Sequence, residues 1–322
     1  WRFALPINYV GAYIVFLGLF FGIIGVLVLH PDFTLPAYTK YSIGIGPLWP
    51  ILFVTIACGS ISGWHSVVST SGTARQLEYE TDARPVGGGV MFVEMMLAVF
   101  ALIIAGSLYA SSTEYGAALG KGAGVVFSAG VSKFLGALGL PAGVGASYGS
   151  VMMIVLAVTI LQLIIRFMRV ATSELMGDIS PIFKNAHVGT IIASLLAILL
   201  VLTGWFQYLW ILFGGANQLM ASLALMLVSA YLMSEGRPAA YAFYPMIFMF
   251  VTTIAALLYT SYGLLQKVFT GGVTGVERVV GNTLMGFVGF FLVLAALILG
   301  WEGLGAFNRY RAMRAEAAPA KA

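Results

Sequence analysis

Apolar residues dominate eight stretches of this chain, near residues 10–29, 47–64, 88–110, 147–169, 189–206, 208–233, 241–263 and 280–301. Crossing the hydrocarbon core of a bilayer takes about 20 residues at a helical rise of ~1.5 Å, so the pattern predicts an all-α bundle of about eight transmembrane helices. The second stretch breaks the pattern. Its apolar part, Leu48 to Ala57, is too short to span, and Gly59 to Arg84 then brings glycines, hydroxyls, a histidine and an arginine where a membrane helix should continue. In lipid, every freed backbone N–H and C=O needs an internal partner, so such an interruption is tolerated only where it faces protein or a protected cavity. The sequence therefore predicts a helix break between Gly59 and Trp64, unit by unit like the discontinuous helices of secondary transporters, with a solute or ion pathway beside it. The sixth stretch carries Gly214-Gly215, which is expected to weaken that helix.

Residues 117–140 read differently. Phe127, Val131, Phe134, Leu135 and Leu138 form one stripe, with Ser128, Ser132 and Lys133 off it. This predicts an amphipathic helix on the outer interface or over the bundle, acting as a connector or as a gate. After Trp301 the chain becomes Ala-rich with Arg309, Arg311 and Arg314, which divides it into a membrane domain over 1–302 and a basic tail over 303–322.

Composition agrees with this reading. With 60% hydrophobic and 9% charged residues, a soluble globule could not cover its surface with polar groups. The net charge of +4 suits lipid headgroups and not a nucleic-acid surface. Trp49, Trp205, Tyr208, Trp210, Tyr241, Tyr244 and Trp301 fall where interfaces are expected. If the first span runs outward, eleven of the 16 Lys and Arg residues collect on the inner side, so both termini are expected to face the cytoplasm. Cys58 has no partner for a disulfide and reads as a small packed hydrophobe. No signal peptide is visible, and the start at Trp1-Arg2 without methionine leaves room for further chain upstream.

The candidate chemistry lies at polar residues inside apolar runs. Glu94 is embedded in VMFVEMMLAVFALIIA and shares a face with Gly87, Met91, Ala98, Ala101 and Ala105. A carboxyl group there reads either as a proton-coupling group or as a structural hydrogen bond to a neighbouring helix packed over the small residues. His65, at the break, suits proton relay or anion binding, and equally a helix cap. Ser60, Ser62, Ser66, Ser69, Thr70 and Ser71 have the chemistry to coordinate an ion or to satisfy the broken backbone ladder. Asn217 and Gln218 supply donors and acceptors that touch substrate or bridge helices. Ser62, His65, Ser69, Glu94, Asn217 and Gln218 thus form the candidate substrate or ion pathway. Arg75, Asp82 and Arg84 read as a cytoplasmic gate or as a solvated loop. His30, His65 and His187 lie in separate segments, and there is no phosphate loop or nucleophile elbow, so no metal, cofactor or enzymatic activity is expected.

The run PLWPILFVTIACGSISGWHSVVSTSGTARQLEYETDARPVGGGVMFVE, Pro47 to Glu94, resembles the signature of the carbon starvation protein family, membrane transporters associated with peptide and pyruvate uptake. The block LWILFGGANQLMASLAL, Leu209 to Leu225, is similar to a second family element, and FSAGVSKFLG extends the likeness. Family members carry a long N-terminal portion, and this chain resembles only the C-terminal part. Where the family tends to show a polar TLDTATRLAR-like helix, this chain has Ile160 to Arg169, with Gln162, Leu163 and Ile165 at the polar positions.

The resemblance implies a secondary transporter, or part of one, in a prokaryotic cytoplasmic membrane, importing peptides or small carboxylates such as pyruvate with proton or sodium coupling. An N-terminal portion or other membrane subunits are the implied partners, beside the lipid bilayer. The alternative is a non-transporting scaffold subunit derived from the family.

Overall fold

The computed structural model describes residues 4–43, 46–56, 59 and 61–317; Cys58, Ser60 and the tail beyond residue 317 lie outside them. Among the described residues, α-helices follow in chain order as α1 (Ala4–Leu29), α2 (Phe53–Ile56), α3 (Gly63–Ser71), α4 (Val90–Ser107), α5 (Ser112–Gly120), α6 (Ala123–Gly136), α7 (Ala142–Met176), α8 (Ala186–Leu202), α9 (Phe206–Ser234), α10 (Ala240–Phe269) and α11 (Val276–Ala317). A two-strand antiparallel hairpin, β1 (Ser42–Ile43) and β2 (Gly46–Pro47), precedes α2. Among the described residues, six helical runs are long and apolar enough to cross a membrane: Pro6–Leu29, Glu80–Ser107, Ala142–Met176, Leu212–Ser234, Ala240–Phe269 and Val276–Tyr310. The other two apolar stretches in the sequence become the 17-residue α8 and the α2–α3 pair. The protein is an all-α polytopic membrane protein.

The chain forms two compact units, Trp1–Thr39 with Ser71–Thr190, and Lys40–Thr70 with Ile191–Ala322. The first is built around α6. Phe127, Val131, Phe134 and Leu135 join Leu19 of α1, Phe100 and Ile104 of α4 and Met152 of α7 in one buried cluster. Phe100 meets Phe127 edge-on, at 6.2 Å between ring centroids and 89° between planes. Small residues let the backbones approach: Gly149 of α7 lies against the Ser128 backbone, and Gly25 of α1 against that of Phe134. The Lys133 Nζ donates to the Ser107 carbonyl at 3.2 Å, placing a cation at the C-terminus of α4. The stripe on residues 117–140 therefore marks a helix at the heart of a unit, with α5 as a separate helix before it. The same periodicity serves an interfacial helix and a packed one, and only the glycines on α1 and α7 argue for the second.

In the second unit α9, α10 and α11 pack around Leu212, Leu219, Leu257, Leu264, Met285, Val293 and Ala296. The helix α9 runs unbroken through Gly214-Gly215. These glycines admit neighbours on two sides, with the Val54 carbonyl 3.2 Å from where a Cβ of Gly214 would stand and the Leu257 side chain 2.7 Å from that of Gly215. The expected weakening of this helix is not what the pair produces; a bare backbone surface is. On α11, Gly289 faces Ser261 and Gly300 faces Phe250, and the helix continues past Glu302 without a break into the basic tail.

Candidate functional site

The helix break falls where the backbone accounting required it. Among the described residues, α2 is assigned through Ile56, Gly59 has 3₁₀ geometry, Ile61 and Ser62 lie outside any helix, and α-helix resumes at Gly63. Both halves rest on α9. Val54 of α2 lies over Gly214, and Gly63 opens α3 so close to α9 that a Cβ would collide with the Asn217 carbonyl oxygen and the Ala221 nitrogen. Only glycine fits at position 63, because the two backbones touch there.

A helix that restarts within protein exposes N–H groups at its first turn. Asn217 answers this from α9. Its Oδ1 accepts from the Trp64 N–H at 2.7 Å, and its Nδ2 donates to the Ser62 Oγ at 3.2 Å. Asn217 is 1% exposed and Ser62 is buried, so these bonds act away from solvent. A second clamp lies upstream: the Trp49 Nε1 donates to the Thr252 Oγ1 of α10 at 3.2 Å, while the Tyr41 hydroxyl donates to the Trp49 carbonyl at 3.0 Å. The interrupted segment is thus pinned at Trp49 and at Ser62–Trp64 by buried residues of two spanning helices.

The hydroxyls of Ser66, Ser69 and Thr70 are engaged within their own helix. Ser66 donates to the Gly63 carbonyl at 2.6 Å, Ser69 to that of Ser66 at 3.1 Å, and Thr70 to that of Val67 at 3.0 Å. Each oxygen keeps lone pairs, so Ser69 retains acceptor capacity but has no proton to spare. His65 is exposed on the first turn of α3. Gln218, one residue beyond Asn217, is fully buried, and neither its Nε2 nor its Oε1 has a hydrogen-bond partner.

The remaining sequence candidates belong to the first unit. Glu94 lies half-buried on α4, on the turn after the Gly87-Gly88-Gly89 run. No ion pair joins Arg75, Asp82 and Arg84 among the described residues; the Asp82 carboxylate accepts from the Tyr79 N–H at 3.3 Å and closes a short 3₁₀ turn. Sequence reasoning missed Thr252, Thr253, Trp49 and Gly63. The signal for the threonines was available, since Thr252-Thr253 interrupts an apolar span just as Asn217-Gln218 does.

An interrupted helix capped by a buried amide beside spanning helices gives this polytopic membrane protein a polar centre in its second unit. The model of the family Carbon starvation protein CstA matches residues 1–120 and 107–256, and the chain belongs to that family. It is 27% identical over 347 aligned positions to the Peptide transporter CstA of Bacillus subtilis, covering 92% of this chain and 57% of the relative. To the Peptide transporter CstA of Helicobacter pylori strain J99 it is 30% identical, covering 74% of this chain and 43% of the relative. To the Pyruvate/proton symporter BtsT of Escherichia coli it is 40% identical over 111 residues, 33% of this chain and 15% of the relative. The chain spans about half the length of these peptide transporter relatives. No solved structure matches it significantly.

Proposed function

We propose that this chain is the membrane domain, or part of it, of a secondary transporter that takes up peptides or small carboxylates such as pyruvate across a prokaryotic cytoplasmic membrane, with both chain ends on the cytoplasmic side. The observation that carries this reading is the amide-capped start of α3, where Asn217 accepts from the Trp64 N–H. The N-terminus of a helix carries partial positive charge, and the Asn217 oxygen occupies the position that a solute carboxylate would take or share. Ser62 and Ser69 offer further polar contacts, and His65 an ionisable group at the mouth of the break.

Coupling to a proton or sodium ion is assigned to Glu94, the acid embedded in an apolar span. The names of the relatives support the solute classes: peptides for the B. subtilis and H. pylori proteins, pyruvate with protons for the E. coli one. The segment with Arg75, Asp82 and Arg84 is proposed as a cytoplasmic gate whose ion pairs form in another state of the transport cycle.

Uptake into vesicles decides the matter. Labelled alanyl peptides and labelled pyruvate are compared with and without a proton gradient or a sodium gradient, with any further subunits of the native assembly present. Gradient-dependent accumulation of either solute, lost in Asn217→Leu, supports the reading. Absence of accumulation of both leaves the scaffold subunit as the better account.

A further inference from the structure

Among the adjacent polar residues inside the spans of the second unit are Asn217-Gln218 on α9 and Thr252-Thr253 on α10. The first member of each pair holds the interrupted segment, Asn217 through Ser62 and Trp64, and Thr252 through Trp49. The second members have no such task. Gln218 and Thr253 are each 0% exposed, and the Gln218 Nε2 and Oε1 and the Thr253 Oγ1 have no hydrogen-bond partner.

Gln218 and Thr253 lie at one level of the bundle. α9 and α10 are joined through the short link 235–239, which makes them antiparallel neighbours. Gly215 sits against Leu257. From that contact, Gln218 is three residues further along α9 and Thr253 four residues back along α10, so both are about one turn away on the same faces and toward the same end. On α11 this level falls between the Gly289–Ser261 and Gly300–Phe250 contacts, where the fully buried Ala296 offers only a methyl group. Ser261, whose Oγ also lacks a partner, is two turns along α10, about 12 Å from Thr253, and belongs to another level.

The chemistry of these atoms selects a ligand. The Gln218 carboxamide presents two protons and an acceptor oxygen, and the Thr253 hydroxyl one proton and an acceptor. A metal cation would satisfy the oxygens and face the Nε2 protons, whereas an anion would satisfy the protons and face the Oε1. A small neutral group that both donates and accepts meets all of them. We propose that Gln218 and Thr253 form a second polar site inside the α9–α10–α11 packing, taking such a group from an internal water molecule or from the amide or hydroxyl of a transported solute. The solute source rests on the transport reading above; the water source stands without it.

X-ray hydroxyl-radical labelling of the full chain in lipid nanodiscs separates the sources, because buried water yields radicals at side chains that bulk solvent does not reach. With no solute added, the water source gives oxidation of Leu257 and Leu219 severalfold faster than that of Phe100, a residue of the first unit as deeply buried as Leu257. It also requires the rate to fall to the Phe100 level in Thr253→Val and Gln218→Met. The solute source gives Leu257 labelling at the Phe100 rate in the wild type, together with severalfold weaker binding of a labelled alanyl dipeptide in both variants at unchanged thermal midpoint. The proposal is overturned if Leu257 labels rapidly but insensitively to both variants. It is equally overturned if Leu257 labels slowly and dipeptide binding is absent or unaltered in the variants.

Discussion

The Trp64 N–H and the Asn217 Oδ1 meet at 2.7 Å although 153 residues separate them in sequence. This single bond joins the start of a half-helix to the middle of a spanning helix. It acts together with the Asn217–Ser62 and Trp49–Thr252 bonds to hold the interrupted segment.

Replacing Asn217 by Leu keeps the approximate volume and removes both bonds, the one to the half-buried Trp64 N–H and the one to the buried Ser62. The expected loss is about 1–3 kcal/mol of stability, the usual penalty for an orphaned buried group. Asn217→Asp keeps the acceptor and places negative charge at a helix N-terminus, so α3 keeps its cap. Thermal unfolding in detergent should rank the wild type and Asp variant above the Leu variant. A Leu variant as stable as the wild type would show that the bond contributes nothing to the fold.

Gly63 is tested by adding one carbon. In Gly63→Ala the new methyl group collides with the Asn217 carbonyl oxygen and the Ala221 nitrogen, which are backbone atoms of a continuous helix and cannot rotate away. The start of α3 must move off α9, at a cost of about 1–3 kcal/mol or more for overpacking. Gly87→Ala makes a fair control, since nothing lies within 4 Å of its Cβ position. Expression level and thermal midpoint should fall for the first and hold for the second.

How far the sequence led is clear from particular residues. The break before Gly63 was legible because Leu48 to Ala57 is too short to cross a bilayer and glycines and hydroxyls follow it at once. That Asn217 would reach the broken segment was legible as a need for some partner, since backbone groups freed in a membrane must be satisfied. Which partner was not legible, because Asn217 and Gln218 are adjacent and chemically alike, and only the phase of α9 turns one toward Ser62 and the other away. The place of α6 was misjudged for a related reason, as a stripe reveals that a face is covered and not by what. The threonine clamp on Trp49 escaped notice because a hydroxyl in an apolar span usually bonds to its own helix, as those of Thr172 and Ser229 do here.

The Trp49–Thr252 bond invites a double-mutant cycle. Trp49→Phe removes the indole donor together with part of the ring system, and Thr252→Val removes the acceptor with little change of shape. Interhelical hydrogen bonds in membranes contribute roughly 0.6–2 kcal/mol, so each single variant should lose an amount in that range, with the double variant scarcely worse than either alone. Additive losses, read from unfolding midpoints, would mean that the two side chains act independently and that this clamp does not hold the segment.

Glu94 carries the coupling prediction. It sits half-buried on α4, within an apolar span. Under the proposed function it is the residue through which the coupling ion passes. Glu94→Gln preserves volume and hydrogen-bonding capacity, so the protein should fold with an unchanged thermal midpoint. It fixes the position in a neutral state, so gradient-driven accumulation of peptide or pyruvate should be abolished while downhill exchange across the same vesicles persists. A structural hydrogen bond would behave otherwise, because the amide can replace it. Concentrative uptake by the Gln variant at the wild-type rate would therefore remove Glu94 from the coupling mechanism and leave it as a residue that anchors α4.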